Sequence, residues 1–452
     1  MRNFYEAAVP LGGLLDFKLY FQTLYRVVEL DQTDSIDCPE NRMSIQRLAS
    51  NAFKIWKAFN EDRTLLDKYY MDTWTSLQAY AASFLLPNIE RIFSLLADER
   101  HFVELQKAIA SQREEFVVMD FGSGPLSASV GFLAALSYAQ SQGIELPKVI
   151  KIYAVERSQK SFELGKMLIE SAIIEGETKI IIERLSSQEK LPKKINLALA
   201  ANIFNEIPEK HQIKTLHSLL SYLADEALFL IIEPGQETHA RRLSALRDEA
   251  LQNQSNKKKN QQEGAVAHPT PTLKVIGPCL HDKPCPLGEH SGRKDWCWFR
   301  HSWNPPLLLS LLGKYSKIDY YELNFSYLML KNENISRDHH VDLVHSALPS
   351  SLARCVSDPF AVDLFKSNKL MQYVKNNVLT AYGTSSLEDL EKKMNPEERI
   401  QKVLLCTIDG MLESEYFQIG NVHGLRKRGH IVQFEELVTL RVFERQAQSK
   451  EI

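Results

Sequence analysis

A glycine-rich loop follows a short apolar run that ends in an acid. The run is Phe116–Asp120, and Gly122 and Gly124 lie between it and a stretch of small residues with helical character. Glycines at a strand-to-helix turn let the backbone approach a ligand, and the free amides at the helix start can bind the polar groups of that ligand. This pattern is typical of pockets for dinucleotides and for S-adenosylmethionine.

The residues around this loop favour the methyl donor over a dinucleotide. The dinucleotide fingerprint would require a third glycine where this sequence has Ser127. Glu156 ends the second strand-like run, where a carboxylate can accept hydrogen bonds from both ribose hydroxyls. We therefore predict an S-adenosylmethionine pocket formed by the loop and two acids: Asp120, Gly122, Gly124 and Glu156. The alternative is a glycine turn that serves only packing.

Polar residues also follow the fourth strand-like run, Ile195–Ala201. In α/β sheets, ligands bind outside the carboxyl ends of the strands. We predict that Asn202 contributes to the cofactor pocket and hydrogen-bonds an acceptor amine, and that Phe204 stacks on an acceptor base. These two are the candidate catalytic residues, and the alternative is that the segment only caps the next helix. Leu126 replaces a glycine that methyltransferases commonly have, so we expect it to crowd the pocket.

A separate segment combines cysteines with prolines and glycines. Cys279, Cys285 and Cys297 are spaced C-x5-C-x11-C, and a segment of this composition is better ordered by a metal than by regular secondary structure. Three nearby histidines also allow a Cys3His zinc site: His281, His290 and His301. The spacing alone places zinc slightly ahead of an iron–sulfur cluster, and buried free thiols are the remaining alternative.

Several motifs, in this order along the chain, resemble those of one family. They are DFGSGP, IIEPG, GPCxxxxPCPL, DWC and LLCTIDG. The family is that of the ribosome-associated methyltransferase-like proteins of the mitochondrial small ribosomal subunit and their bacterial relatives. The resemblance spans roughly Trp74 to Arg441, and the cysteine segment is its specific part.

This resemblance implies a cofactor, partners and a function. It implies a four-iron, four-sulfur (4Fe-4S) cluster, with zinc as the alternative, on four ligands: Cys279, Cys285, Cys297 and Cys406. It implies binding to the small ribosomal subunit or its precursor and to rRNA. The expected function is S-adenosylmethionine-dependent methylation of small-subunit rRNA or a role in its assembly. The alternative is a non-catalytic assembly or translation factor that retains the methyltransferase fold and the cluster.

The elements that must position these residues divide the chain into three parts. Residues 1–112 have the apolar spacing of helices, and residues 113–335 alternate strand-like and helical runs, as expected of βαβ units. We therefore predict an α/β, Rossmann-type methyltransferase fold at 113–335, with a Cys-rich metal-binding insertion at 252–303. Residues 336–452 are predicted to be a small C-terminal β-rich module.

Composition and charge limit where RNA can bind. The chain of 452 residues has 54 basic and 57 acidic side chains, so its net charge is −3 and any attraction to RNA must come from local patches. The main candidate joins Arg293, Lys294 and Arg300 to three tryptophans: Trp296, Trp298 and Trp303. Without a recognisable secretory signal, membrane span or mitochondrial presequence, we expect a monomeric, cytoplasmic protein of bacterial type.

Overall fold

The computed structural model of the chain forms two compact units. The structure describes residues 13–31, 36–61, 70–192, 194–260, 272–288, 295–333, 352–355, 360–361, 400–408, 412–418 and 431–433. The first unit, here the sheet unit, comprises residues 1–234, 252–276 and 300–335. The second, the cysteine unit, comprises residues 235–251, 277–299 and 336–452. The three domain boundaries drawn from the sequence stay a prediction.

The sheet unit begins with helices. They are α1 (Phe17–Val27), α2 (Arg42–Asn60), α3 (Trp74–Tyr80), α4 (Leu86–Leu96) and α5 (Glu99–Ala110). Asp16 and Asp98 cap α1 and α5 by accepting hydrogen bonds from backbone amides of the first turn. A π-helical turn, Ala81–Leu85, connects α3 directly to α4.

A mixed sheet forms the centre of this unit. Its strands are β1 (Glu115–Phe121), β2 (Val149–Val155), β3 (Lys179–Leu185), β4 (Ile195–Ala201), β5 (Leu223–Pro234), β6 (Thr272–Gly277), β7 (Phe299–Ser302) and β8 (Glu322–Glu333). The order is β3-β2-β1-β4-β5-β8-β6, with β7 paired to β8. Strands β1 to β5 are parallel, and β8 runs antiparallel to β5. The prediction of an α/β, Rossmann-like fold is confirmed in this form.

Helices alternate with the strands. They are α6 (Ser127–Ser141), α7 (Gln159–Glu170), α8 (Glu209–Leu220), α9 (Glu237–Asn260) and α10 (Leu307–Ser316). Strand β4 is apolar and almost wholly buried, as expected of a parallel strand covered on both faces. Because the chain moves outward from β1 to β3 and then returns to β4, the order reverses between β1 and β4. Such a reversal opens a crevice at the carboxyl ends of the strands.

The cysteine unit contains a second, antiparallel sheet. Its described strands are β9 (Leu352–Cys355), β10 (Phe360–Ala361), β11 (Ile400–Thr407), β12 (Leu412–Gln418) and β13 (Ile431–Gln433). The order is β10-β11-β9-β13, and β12 pairs with the other side of β11. The same unit includes most of α9 and residues 277–299. Among the described residues, no helix is both long and apolar enough to cross a bilayer.

Candidate functional site

The glycine loop between β1 and α6 has a left-handed backbone at three positions. Gly122, Gly124 and Leu126 have φ angles of 69°, 51° and 63°. A Cβ atom at Gly122 would lie 2.5 Å from Cγ1 of Ile203, so both the backbone angle and the close neighbour require glycine there. Leu126 is completely buried. A Cβ at Gly165 would lie 2.3 Å from the carbonyl oxygen of Pro125, which places α7 directly against the end of the loop.

Asp120 lies at the end of β1 and is buried. Its Oδ2 accepts hydrogen bonds from the backbone amide of Ser129 at 3.1 Å and from the Ser129 hydroxyl at 2.6 Å. Burial raises the pKa of Asp120 to about 7, and the nearby charge of Glu156 adds to the rise, whereas the Ser129 hydrogen bonds oppose it. One carboxylate oxygen of Asp120, which was predicted to contact the cofactor, therefore holds the first turn of α6 in place.

Glu156 follows β2 and connects two loops of the crevice. Its Oε2 accepts a hydrogen bond from the Gly124 amide at 2.9 Å, and its Oε1 accepts one from the Ser158 amide at 2.6 Å. The structure thus brings Glu156 and the glycine loop together at the carboxyl edge of the sheet. Each carboxylate oxygen has a second acceptor site, so these contacts leave Glu156 able to accept ribose hydroxyls.

Asn202 and Phe204 follow β4 but differ in their surroundings. Asn202 has a φ angle of 56°, and its side-chain amide donates to Oδ1 of Asn88 at 3.3 Å. Phe204 is only 2% exposed, so its ring has no free face on which a base could stack. This burial argues against the stacking role predicted for Phe204 and identifies its ring as part of the core.

Glu233 is a carboxylate that the sequence analysis did not single out. It lies near the end of β5, is 2% exposed, and accepts hydrogen bonds from the amides of Phe204 at 2.9 Å and Asn205 at 3.1 Å. A buried carboxylate that binds two consecutive amides holds the loop after β4 in place. The IIEPG motif contains Glu233, but nothing in its spacing indicates the loop that it holds.

A polar group on the N-terminal helices was also missed. Tyr80 of α3 accepts a hydrogen bond from the Asn88 amide at 3.2 Å, and Arg91 donates to Oδ1 of Asn88 at 2.6 Å. Asn88 and Arg91 are three residues apart on α4, which places them on one face of the helix. Through Asn88 this group is hydrogen-bonded to Asn202, one of the predicted site residues.

In the cysteine unit, four cysteines line one cavity. They are the four predicted ligands: Cys279, Cys285, Cys297 and Cys406. The rest of the lining is largely apolar, and Arg354 is its one charged residue. Burial, followed by the charge of Cys279, raises the pKa of the Cys285 thiol to about 11. Burial and the other three cysteines raise the pKa of Cys406 well above its ordinary value.

Helix α9 holds the backbone of the cysteine segment through charged side chains. Arg247 donates to the carbonyl oxygen of His281 at 2.6 Å, and the Asp248 carboxylate accepts from the Cys285 amide at 3.0 Å. Arg241 donates to the carbonyl oxygens of Leu287 at 3.3 Å and Gly288 at 3.4 Å. These contacts hold in place the loop that carries two of the cysteines, and they do not depend on a bound ligand.

The donor set can be tested against the implied metal. Thiolates suit zinc and iron–sulfur clusters, and the four thiols share one apolar cavity, so the residues fit either group in kind. In the described part of the chain, however, no three His, Cys, Asp or Glu side chains form a site that could hold a metal ion. The shared cavity is therefore observed, whereas the predicted metal-binding insertion is not established.

The structure also describes some of the predicted histidines and part of the predicted RNA patch. His281 Nε2 is 3.4 Å from Cys406 Sγ, whereas His301 bonds to Glu90 at 2.8 Å. Of the predicted RNA patch, Arg300 pairs with Glu322 at 2.8 Å, and Trp303 is buried and donates to a backbone carbonyl. Trp303 is therefore a core residue and not a stacking platform. Three further predicted residues lie outside the described residues: His290, Arg293 and Lys294.

Comparison with known proteins identifies a family. A family profile described as "Mitochondrial small ribosomal subunit Rsm22" matches residues 103–361, more than half of the chain. No curated protein sequence matches the chain.

Solved structures similar to the chain include several methyltransferases. A putative class I S-adenosylmethionine-dependent methyltransferase from Listeria monocytogenes is 10% identical, covering 75% of this chain and 91% of its own, with a TM-score of 0.33. A putative RNA methyltransferase from Pyrococcus horikoshii is 9% identical, covering 70% and 100%, with a TM-score of 0.27. PKMT2 from Rickettsia typhi, in complex with AdoHcy, is 13% identical, covering 54% of each chain, with a TM-score of 0.26. Scores this low establish neither a shared fold nor a shared function.

Proposed function

The chain belongs to the Rsm22 family, described as a mitochondrial small ribosomal subunit family, and on that premise we propose that it is a small-subunit protein that binds S-adenosylmethionine. The glycine loop and Glu156 hold the donor, with Asp120 shaping the loop and Asn202 at its far side. One observation carries this assignment: the carboxylate after β2 is hydrogen-bonded to the glycine loop after β1, at the point where the strand order reverses.

Titration calorimetry with S-adenosylhomocysteine tests the pocket. Glu156→Gln should weaken binding by about 1.5–3 kcal/mol, because the ribose loses a charged acceptor. Glu145→Gln is the matched control, since Glu145 lies on the surface in an ion pair with Arg113. Equal affinity of wild type and Glu156→Gln would remove Glu156 from the pocket.

We further propose that Cys279, Cys285, Cys297 and Cys406 hold a 4Fe-4S cluster. The family resemblance of the cysteine motifs supports iron–sulfur, and the shared cavity supports all four ligands acting together. Such a cluster would tie the cysteine segment to β11 and so stabilise the unit. Protein purified without oxygen should contain iron and acid-labile sulfide in equal amounts, whereas one equivalent of zinc without sulfide would identify the alternative metal.

The proposed partner is the small ribosomal subunit or its precursor, contacted through rRNA. Methyl transfer to an rRNA base is the first candidate activity, and a non-catalytic role in assembly or translation is the second. The burial of Phe204 favours the second, because it removes the ring predicted to position the acceptor. Incubation of small-subunit precursors with tritiated S-adenosylmethionine separates them: label in rRNA supports the enzyme, and co-sedimentation without label supports the factor.

The family description and the sequence indicate different cellular compartments. The family description names the mitochondrial ribosome, whereas the sequence led us to expect a bacterial-type cytoplasmic protein. Fractionation of the source cells, with small-subunit rRNA probed in the same fractions, decides between a mitochondrial and a cytoplasmic ribosome. We propose that the protein acts there as a monomer.

A further inference from the structure

Arg91 is a partly buried cation that lacks an anionic partner in the described part of the chain. Its guanidinium donates to the amide oxygen of Asn88, and its Nε is buried without a hydrogen-bond partner. Burial lowers the pKa of Arg91 only to about 10, so the side chain remains charged at neutral pH. A buried charge without a counter-ion is costly, and proteins normally pair it.

Two other basic side chains of the sheet unit are paired with carboxylates. Lys331 lies 2.9 Å from Glu104 and 2.6 Å from Glu226, and Arg300 lies 2.8 Å from Glu322. Arg91 instead donates to the uncharged Asn88, and no described carboxylate pairs with it. This lack of a charged partner points to an anion that comes from outside the chain.

The position of Arg91 indicates which ligand supplies this anion. Its partner Asn88 is hydrogen-bonded to Asn202, and the next residue, Ile203, lies against Gly122 of the glycine loop. Asn88 also donates to Tyr80, whose pKa is raised by burial and additionally by the charges of Glu206 and Glu156. Arg91 thus belongs to the same carboxyl edge of the sheet as Glu156, which we assign to the ribose.

We propose that Arg91, oriented by Asn88, binds the carboxylate at the amino-acid end of S-adenosylmethionine, with Asn202 lining the same subsite. A guanidinium offers two parallel donors that match a carboxylate, whereas the uncharged adenosine end has no use for a cation. This inference rests on the proposed methyl-donor pocket and adds a second anchor to it. Its test therefore separates the two ends of the ligand.

The test compares two ligands that differ in the amino-acid end. S-adenosylhomocysteine carries the carboxylate, and 5′-methylthioadenosine has the same nucleoside without it. Calorimetry should show that Arg91→Gln weakens S-adenosylhomocysteine about tenfold or more, the factor that corresponds to about 1.4 kcal/mol. Binding of 5′-methylthioadenosine should stay within about twofold, and the surface variant Arg113→Gln should leave both ligands unchanged.

A second variant distinguishes the loss of a ligand contact from a folding defect. Asn88→Asp places a carboxylate beside Arg91, so it should raise the thermal unfolding temperature while weakening only S-adenosylhomocysteine, because the new anion competes with the ligand. An equal loss of both ligands in Arg91→Gln, or no loss of either, would overturn the subsite and leave the pocket intact. Failure of wild type to bind either ligand would overturn the pocket and the subsite together.

Discussion

The glycine loop and the cysteine cavity differ in how their buried polar groups are stabilised. At the loop, acids are paired with the backbone: Glu156 binds the amides of Gly124 and Ser158, and Glu233 binds those of Phe204 and Asn205. In the cavity, burial and then the neighbouring cysteines raise the pKa of Cys285 and Cys406, which disfavours the thiolate form that a metal binds. The first site is therefore organised by folding alone, whereas the second needs a cation to become stable as thiolates.

The two sites also differ in how far apart their residues lie in the sequence. The loop brings together residues from adjacent strands of one sheet, so standard βα connections place them. The cavity joins residues 279–297 to Cys406, with α9 holding the first of these segments. Substitutions confined to one of the two sites test this difference.

The largest expected effect is the loss of the proposed metal. Cys406→Ser removes a thiol that lines the cavity, so purified protein should lose essentially all iron or zinc, as measured by elemental analysis. Cys38→Ser is the control, because Cys38 is a free cysteine outside the cavity lining. Full metal content in Cys406→Ser would show that the metal does not need Cys406, and wild type without metal would show that the cavity is organised without a cation and would erase the contrast.

The next effect concerns pH. The pKa of Asp120 rises from 3.8 to about 7 on folding, so between those values the folded state keeps a proton that the unfolded chain has released. The free energy of unfolding should fall as pH rises through this window, by about 4 kcal/mol relative to Asp120→Asn at about 1.4 kcal/mol per unit. Urea unfolding at several pH values measures it.

The surface variant Asp319→Asn is the control for this titration. Asp319 is exposed, so its replacement should leave the pH profile of wild type unchanged. Parallel profiles of wild type and Asp120→Asn would mean that Asp120 has the same pKa in the folded and unfolded chain, because the hydrogen bonds from Ser129 offset the cost of burial.

A smaller effect separates the cost of a left-handed backbone angle from the cost of a close steric contact. Gly122→Ala combines a φ angle of 69° with a Cβ atom 2.5 Å from Ile203, and it should lower the free energy of unfolding by about 2–4 kcal/mol. Gly143→Ala has a similar angle, 82°, and open space, so it should cost only about 1 kcal/mol. Denaturant unfolding of both variants gives the difference. Equal losses would show that the close approach at Gly122 relaxes freely.

The smallest effect tests the support of the cavity. Asp248→Asn keeps an oxygen acceptor for the Cys285 amide but removes the charge beside Arg247, and it should lower the free energy of unfolding by about 1 kcal/mol. Glu249→Gln, on the adjacent residue of α9, should be neutral. Thermal unfolding of both variants measures this, and a gain in stability for Asp248→Asn would show that the thiols, not Asp248, balance Arg247.

Local patterns predicted the fold and part of the loop site. The alternation of strands and helices was sufficient for the α/β assignment, and the glycine motif placed Gly124 and Glu156 where they meet. Residue type alone misjudged Phe204 and Trp303, because an aromatic ring suits the core as well as a ligand. Helix α9 continues to Asn260, beyond the start of the insertion predicted at 252–303, since Gln and Lys are good helix formers.

Residues whose roles depend on distant partners escaped sequence analysis. Arg91 and Asn88 lie on an ordinary amphipathic helix, and only their approach to Asn202 distinguishes them. Cys406 is separated from the other three cysteines by more than a hundred residues, so spacing could not include it and only the family resemblance did. Such pairings are set by tertiary packing, which a single sequence does not encode in its local pattern.

The π-helical turn between α3 and α4 determines which side chains of the two helices lie on the same face. In an uninterrupted α-helix, residues eight apart point in directions about 80° apart, because each residue turns the helix by about 100°. The wider turn at Ala81–Leu85 accommodates an additional residue, which brings Tyr80 and Asn88 into line. Deleting Ser83 would return the segment to α-helical pitch, and the seven remaining steps of about 100° each would keep Tyr80 and Asn88 within about 20° of alignment. Adding a second residue to this turn, by contrast, would rotate Tyr80 away from Asn88 by about one residue's angle, so the turn should tolerate substitution or loss of one residue better than insertion.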